Sequence, residues 1–232
     1  VSLKRGNIEN PAIWHVDPVQ TALNHVATGA GWLHVTDFDA VLGRDAQEEL
    51  ITEIIRRAGI PVQLSGGIRS LERAAQWIDR GAARVVIGSA AVQSPDLVRQ
   101  LAHQYPDQIV LSLDVSNGGV MIDGWRKRAL FTARDFLAAY DDLPLAAVIF
   151  TDIDADADHP EASLALTTRI SSQCRAPVIA SGIVKSLDDI SRLKFVYNID
   201  GCLVGRALMN KSIDLGAALR LAETPERVPE LQ

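Results

Sequence analysis

Cysteine is almost missing from this 232-residue chain: Cys174 and Cys202 are the whole supply. Two thiols make no disulfide framework and fit a reducing, cytoplasmic setting. Cys202 lies inside an apolar run and reads as a small core residue, and no His or Asn is patterned beside Cys174 to make it a nucleophile. No window of about 20 apolar residues is present, which excludes a bilayer-spanning helix. The opening residues 1–6 lack the apolar stretch of a secretory signal. Basic residues are few and scattered, 23 against 29 acidic for a net charge of −6, which excludes an electrostatic nucleic-acid partner. The five histidines, His15, His25, His34, His103 and His159, show no ligand spacing, so no metal site is expected. His34, in a strand-like run, reads as packing. Linkers rich in Pro, Gly and Ser are lacking too. Residues 1–224 therefore read as one domain and 225–232 as a frayed tail, monomeric or weakly homo-oligomeric.

What the chain has instead is a repeat of half its length. Thr36-Asp37-Phe38-Asp39-Ala40 returns as Thr151-Asp152-Ile153-Asp154-Ala155, 115 residues on. Pro61-Val62 with Ser65-Gly66 and Ser70-Leu71 returns as Pro177-Val178 with Ser181-Gly182 and Ser186-Leu187, at an offset of 116. Val86-Ile87-Gly88 and Ala90 return as Leu203-Val204-Gly205 and Ala207, at 117. A period this long is a duplicated half-domain, since solenoid repeats run at about 20–50 residues.

Short apolar runs rich in Val and Ile alternate with stretches of helical periodicity. Strands are predicted at Trp32–Thr36, Ile60–Leu64, Arg84–Ile87, Gln108–Leu113, Ala146–Phe150, Ala176–Ala180 and Asp200–Val204. Helices are predicted at Pro18–Ala27, Ala46–Ala58, Ser70–Arg80, Pro95–Gln104, Ala133–Tyr140, Glu161–Gln173, Leu187–Phe195 and Ile213–Ala222. Asp17, Ser94 and Thr132 read as N-caps, and Gly29, Gly59 and Gly81 follow helix ends. Strict alternation predicts a parallel sheet with right-handed crossovers. Seven strands against eight helices, together with the repeat, predict a (β/α)8 TIM barrel of two similar halves. Most of its first strand would lie upstream of Val1. An open flavodoxin-like or Rossmann sheet is the alternative, and it leaves the duplication unexplained.

In such a barrel the loops after the strands form the reactive face. The repeat sets Asp37 and Asp39 after the second strand and Asp152 and Asp154 after the sixth, with Asp114 ending the fifth. A strand-end carboxylate among others can titrate near neutral pH and serve as acid or base. Ser65-Gly66-Gly67 and Gly88-Ser89 follow strands three and four, and Ser181-Gly182 and Gly205-Arg206 follow strands seven and eight. Glycine turns ahead of helix N-termini suit phosphate. Two matching pairs predict a substrate with a phosphate at each end. Trp125, beside basic residues, either stacks on a substrate base or packs.

These segments resemble a known family. Leu33 to Ala40, Pro61 to Arg69, Arg84 to Ala90, Leu113-Asp114-Val115, Gly124-Trp125, Thr151-Asp152-Ile153 and Val204 to Leu208 are similar to the ProFAR isomerase (HisA) of histidine biosynthesis and its bifunctional relative PriA. The resemblance covers essentially the whole chain. It implies a cofactor-free Amadori rearrangement of the aminoaldose ProFAR to the aminoketose PRFAR. It also implies a general base on the strand before Val1 and a general acid at Asp152, with Asp37, Asp39 and Asp114 in support. The phosphates would sit on Gly66, Gly67, Arg69, Gly88 and Ser89, and on Ser181, Gly182, Gly205 and Arg206. Three segments differ from the family's pattern. Ser2 stands in place of an arginine, Asp156-Ala157-Asp158-His159-Pro160 replaces a loop opening Asp-Gly-Thr, and Ile183 replaces the second glycine of Ser-Gly-Gly. Alternatives are a divergent barrel that binds a phosphorylated metabolite without turnover, one that isomerises another phosphosugar, and the cyclase of imidazole glycerol phosphate synthesis.

Overall fold

The computed structural model describes residues 15–156 and 160–223. Val1–Leu3, the loop at 157–159 and the tail at 225–232 lie outside them. Seven parallel strands form one curled sheet: β1 (Leu33–Thr36), β2 (Val62–Ser65), β3 (Arg84–Ile87), β4 (Ile109–Ser116), β7 (Ala147–Asp152), β8 (Val178–Ser181) and β9 (Ile199–Leu203), paired in that order. Helices alternate with them, and the architecture is that of a (β/α)8 TIM barrel, seven of whose strands fall among the described residues. Each predicted strand and helix is present within a few residues of its predicted ends.

The helix ends form as their residues dictate. Asp17 caps α1 (Pro18–Thr28) by accepting from Gln20 N, and Gly29 closes it at φ 109°. Thr132 and Asp135 form a capping box on α7 (Ala133–Ala138). Ser94 starts α6 (Pro95–Gln104) without a side-chain cap bond. The repeat shows in these details. Ser70 caps α4 (Leu71–Asp79) from Arg73 N, and Ser186, 116 residues on, caps α9 (Leu187–Leu193) from Asp189 N.

Strand pleat sorts the core into two sides. Val86, Val110, Ala147, Ile149 and Ile179 pack together inside the curl. Their alternates Val85, Leu111, Leu113, Val148 and Phe150 pack outward in the helix-facing core. A second outer cluster around Ile183, Ile190, Leu193 and Ile213 sits beneath the last helices.

An antiparallel extension was not expected. β4 runs past Asp114 to Ser116, turns at Asn117-Gly118, and pairs with β5 (Gly119–Ile122), which pairs with β6 (Lys127–Arg128). Asn117 at φ 47° and Gly118 at φ 73° have the left-handed backbone that a tight hairpin needs, and Asn-Gly is its strongest sequence signal. Short helices after strands were also missed: α2 (Phe38–Val41), α5 (Ser89–Gln93), α10 (Arg206–Met209) and a 3-10 turn at Ile153–Asp156.

Candidate active site

The C-terminal ends of the strands open into one cavity of about 850 Å³. Its lining takes a residue or loop from each of the seven described parallel strands. Gly66, Gly67, Arg69, Gly88, Ser89, Asp114, Trp125, Ser181, Gly182, Gly205 and Arg206 all face it. Eleven of the residues singled out from sequence are thus brought together around one space.

Asp152, Asp37 and Asp39 are not brought there. On β7 Thr151 lines the cavity, as Ile149 does below it, while Val148 and Phe150 face the helices. Asp152 follows the parity of Val148 and Phe150. It is buried, and its carboxylate accepts from Asp154 N at 3.0 Å to close the 3-10 turn. Asp37 does the equivalent in the first half, accepting from Ala40 N at 3.0 Å and from Gln47 N at 2.9 Å. The duplicated aspartates are caps. Asp39 accepts from Gln47 Nε2 at 3.0 Å at the surface, and Asp154 accepts from Ser116 Oγ at 3.0 Å, tying the hairpin to the turn after β7.

The glycines beside these caps are required by close approach. A Cβ on Gly66, at φ 110°, would lie 2.4 Å from the carbonyl oxygen of Asp37. A Cβ on Gly182, at φ 83°, would lie 3.1 Å from the carbonyl oxygen of Asp152, a tighter fit than usual but milder than at Gly66. The two loops then part. Gly67 stays left-handed at φ 69°, whereas Ile183 does not, and its side chain is buried in the outer core. The first half's run of two left-handed residues is absent from the second.

The carboxylate on the cavity floor is Asp114. It accepts from Ser112 Oγ at 3.0 Å and from Trp125 Nε1 at 2.9 Å, and Thr151 on the neighbouring strand also hydrogen-bonds to it. Burial pushes its pKa above the ordinary carboxylate value, and these three donors pull partly back. Trp125 reaches it from a strained turn, with Asp123, Gly124 and Trp125 all at positive φ. Such strain persists where surrounding structure imposes it, and it collects at functional sites. Asp123 N donates to Ser89 Oγ at 2.7 Å, and Lys127 holds the Asp123 carboxyl below its usual range.

Opposite, His34 lines the cavity from β1, with Nε2 3.0 Å from Thr36 Oγ1 and Nδ1 2.9 Å from Gln63 Nε2. Burial lowers its pKa to about 4, so the ring is neutral at physiological pH. His34 is thus a cavity-lining residue and not the packing residue expected from its strand-like run. Thr36, Ser112, Thr151 and Lys185 were also not singled out. Strand parity from Asp114 and Ile149 finds Ser112 and Thr151, and the 116-residue offset from Arg69 finds Lys185. Among the described residues no group of three or more His, Cys, Asp or Glu could hold a metal, and no helix is long and apolar enough to cross a membrane.

The chain is similar to known proteins over nearly its whole length. A family model described as histidine biosynthesis protein matches residues 1–214. The 1-(5-phosphoribosyl)-5-((5-phosphoribosylamino)methylideneamino) imidazole-4-carboxamide isomerase 2 of Ruegeria pomeroyi is 51% identical over all of this chain and 94% of its own length. Isomerase 1 of the same name from Ruegeria sp. TM1040 is 50% identical over 99% of this chain and 94% of itself. That organism's isomerase 2 is 36% identical, over 94% of this chain and 92% of itself.

Proposed function

From the premise that this chain belongs to the histidine biosynthesis protein family, we propose that it is a ProFAR isomerase, converting the aminoaldose to the aminoketose with no cofactor. The observation that carries this reading is a floor carboxylate, Asp114, set between two repeat-related anion loops across one cavity. The relatives' names describe a substrate with two phosphoribosyl groups, and two anion loops match two such ends. The enzyme would work in the cytoplasm, where its two unpaired thiols are at home.

The rearrangement opens a ribose ring. A proton goes to the ring oxygen, the C1′–O4′ bond breaks, and C1′ and nitrogen form an iminium. Loss of the C2′ proton gives an enolamine, which gains a proton at C1′ and gives up the proton of its C2′ hydroxyl to become the ketone. We assign the first proton to Asp114. Burial raises its pKa above the ordinary carboxylate value and so favours the protonated form that this step uses, and its three donors stabilise the carboxylate left behind. Thr151, bonded to the same carboxyl, holds it towards the cavity.

The direct test is incubation of the purified protein with ProFAR, with the aminoketose separated chromatographically. Absence of product at micromolar enzyme would defeat the assignment. One observation favours a second reading. Ruegeria sp. TM1040 carries two proteins of this name, 50% and 36% identical to this chain. Two lineages in one organism allow one of them to take another phosphosugar, or to bind without turnover. Tight ProFAR binding without product, or faster turnover of another aminoaldose phosphate, would support that reading.

A further inference from the structure

We propose that Lys185 is the specificity-determining cation of the second-half anion site, an ammonium where the first half uses the Arg69 guanidinium. This rests on the isomerase reading for the identity of the substrate but not for the presence of the anion site. Lys185 lies 116 residues after Arg69, the offset that also relates Gly66 to Gly182 and Ser70 to Ser186. The structure holds the two cations alike. Arg69 Nη2 donates to the carbonyl oxygen of Val41, in the turn capped by Asp37. Lys185 Nζ donates to the carbonyl oxygen of Ala155, in the turn capped by Asp152. Both residues line the cavity, one at each anion loop.

The loops differ where it matters for an anion. Gly66 and Gly67, at φ 110° and 69°, curve two successive peptides in the left-handed region, the geometry that turns backbone N–H groups together into an anion-binding concavity. In the second half only Gly182 is left-handed, and Ile183 takes its side chain into the outer core. The next N–H groups are spent as well: Lys185 N and Ser186 N both donate to the Asp189 carboxylate, at 2.9 and 2.8 Å. Backbone donation is therefore poorer at this end, and side-chain charge must carry more of the binding. A lysine ammonium keeps two further donors after its bond to Ala155 and acts as a point charge. It lacks the planar fork of arginine that matches phosphate bidentately. The Arg69 end is built for one phosphate geometry. The Lys185 end is less directional and depends on its ammonium.

The test uses inorganic phosphate as probe, by calorimetry and by crystals grown in phosphate, with wild type, Lys185→Met and Lys185→Arg. Methionine keeps length and packing, and a thermal melt checks folding. Wild type should bind phosphate at two sites. K185M should weaken the second-half site about 10- to 100-fold, the worth of one charge-assisted hydrogen bond, and leave the Arg69 end unchanged, with K185R restoring most of the loss. With ProFAR, K185M should raise KM by a similar factor and change kcat little. Two sites of wild-type affinity in K185M would overturn the proposal and leave the isomerase reading standing. Phosphate at neither site of wild type would overturn both. Turnover in wild type with an unchanged KM in K185M would overturn the proposal alone.

Discussion

The indole N–H of Trp125 donates to Asp114 Oδ2 at 2.9 Å, across a turn in which three successive residues have positive φ. This bond stabilises the ionised form of Asp114 and so opposes the upward push of burial on its pKa. Trp125→Phe keeps an aromatic ring and removes the donor. The Asp114 pKa should rise further, and the alkaline limb of the kcat/KM profile should move to higher pH. A limb that stays in place, measured over pH 5–9, would detach Trp125 from the titration.

Asp114→Asn should lower kcat by about 10²–10⁴, the usual worth of a general acid or base, with KM little changed. Asp152→Asn should stay near wild type, because an asparagine oxygen can still accept from Asp154 N. The reverse outcome would return the acid to Asp152. If neither variant loses turnover, Asp156, the aspartate that matches the family's Asp-Gly-Thr, is the next residue to substitute.

The same Asp114 variant has a stability consequence. A carboxyl whose pKa is raised on folding is at its least costly when protonated and penalises the fold as pH rises through its folded value. Asp114→Asn should therefore be more stable than wild type at pH 8, with the advantage shrinking towards pH 3. Urea midpoints at the two pH values decide it, and an equal difference at both would contradict the burial argument.

His34 works in the opposite direction. Its pKa falls from 6.5 to about 4 on folding, so the unfolded chain takes up the proton first as pH falls. Stability should decline from about pH 6.5 and level off below about pH 4, by on the order of 3 kcal/mol. His34→Asn should lose visibly less over that window in urea melts.

Gly66→Ala sets a β-carbon against the Asp37 carbonyl at a φ of 110°. We expect a loss of at least about 2 kcal/mol. Gly205→Ala should cost no more than about 0.5 kcal/mol, since a Cβ there has open space and its φ of −111° is ordinary. Equal thermal shifts for the two variants would refute the close-approach explanation.

Much of the fold was legible because its signals are local and doubled. Asp17, Thr132, Gly29 and Gly59 mark helix ends by chemistry that needs no partner. The β4–β5 hairpin carried its own local sign in Asn117-Gly118, but β5 spans only four residues, too few for an alternating pattern to register. The short helices after strands span four or five residues, too few for a periodic pattern to register. His34 looked like packing because nothing in sequence pairs it with Gln63, 29 residues away.

The sequence by itself determined the half-length repeat, the parallel α/β order, and the paired glycine turns after the strands. Only the tertiary structure decided which aspartate meets the cavity. Side chains on a strand alternate faces with a period of two, so a shift of one residue moves a carboxylate from the interior to the helix-facing side. Thr151 and Asp152 are adjacent in every repeat alignment, and pairing of β7 with β4, Asp114 opposite Thr151, turns Thr151 inward and leaves Asp152 to cap.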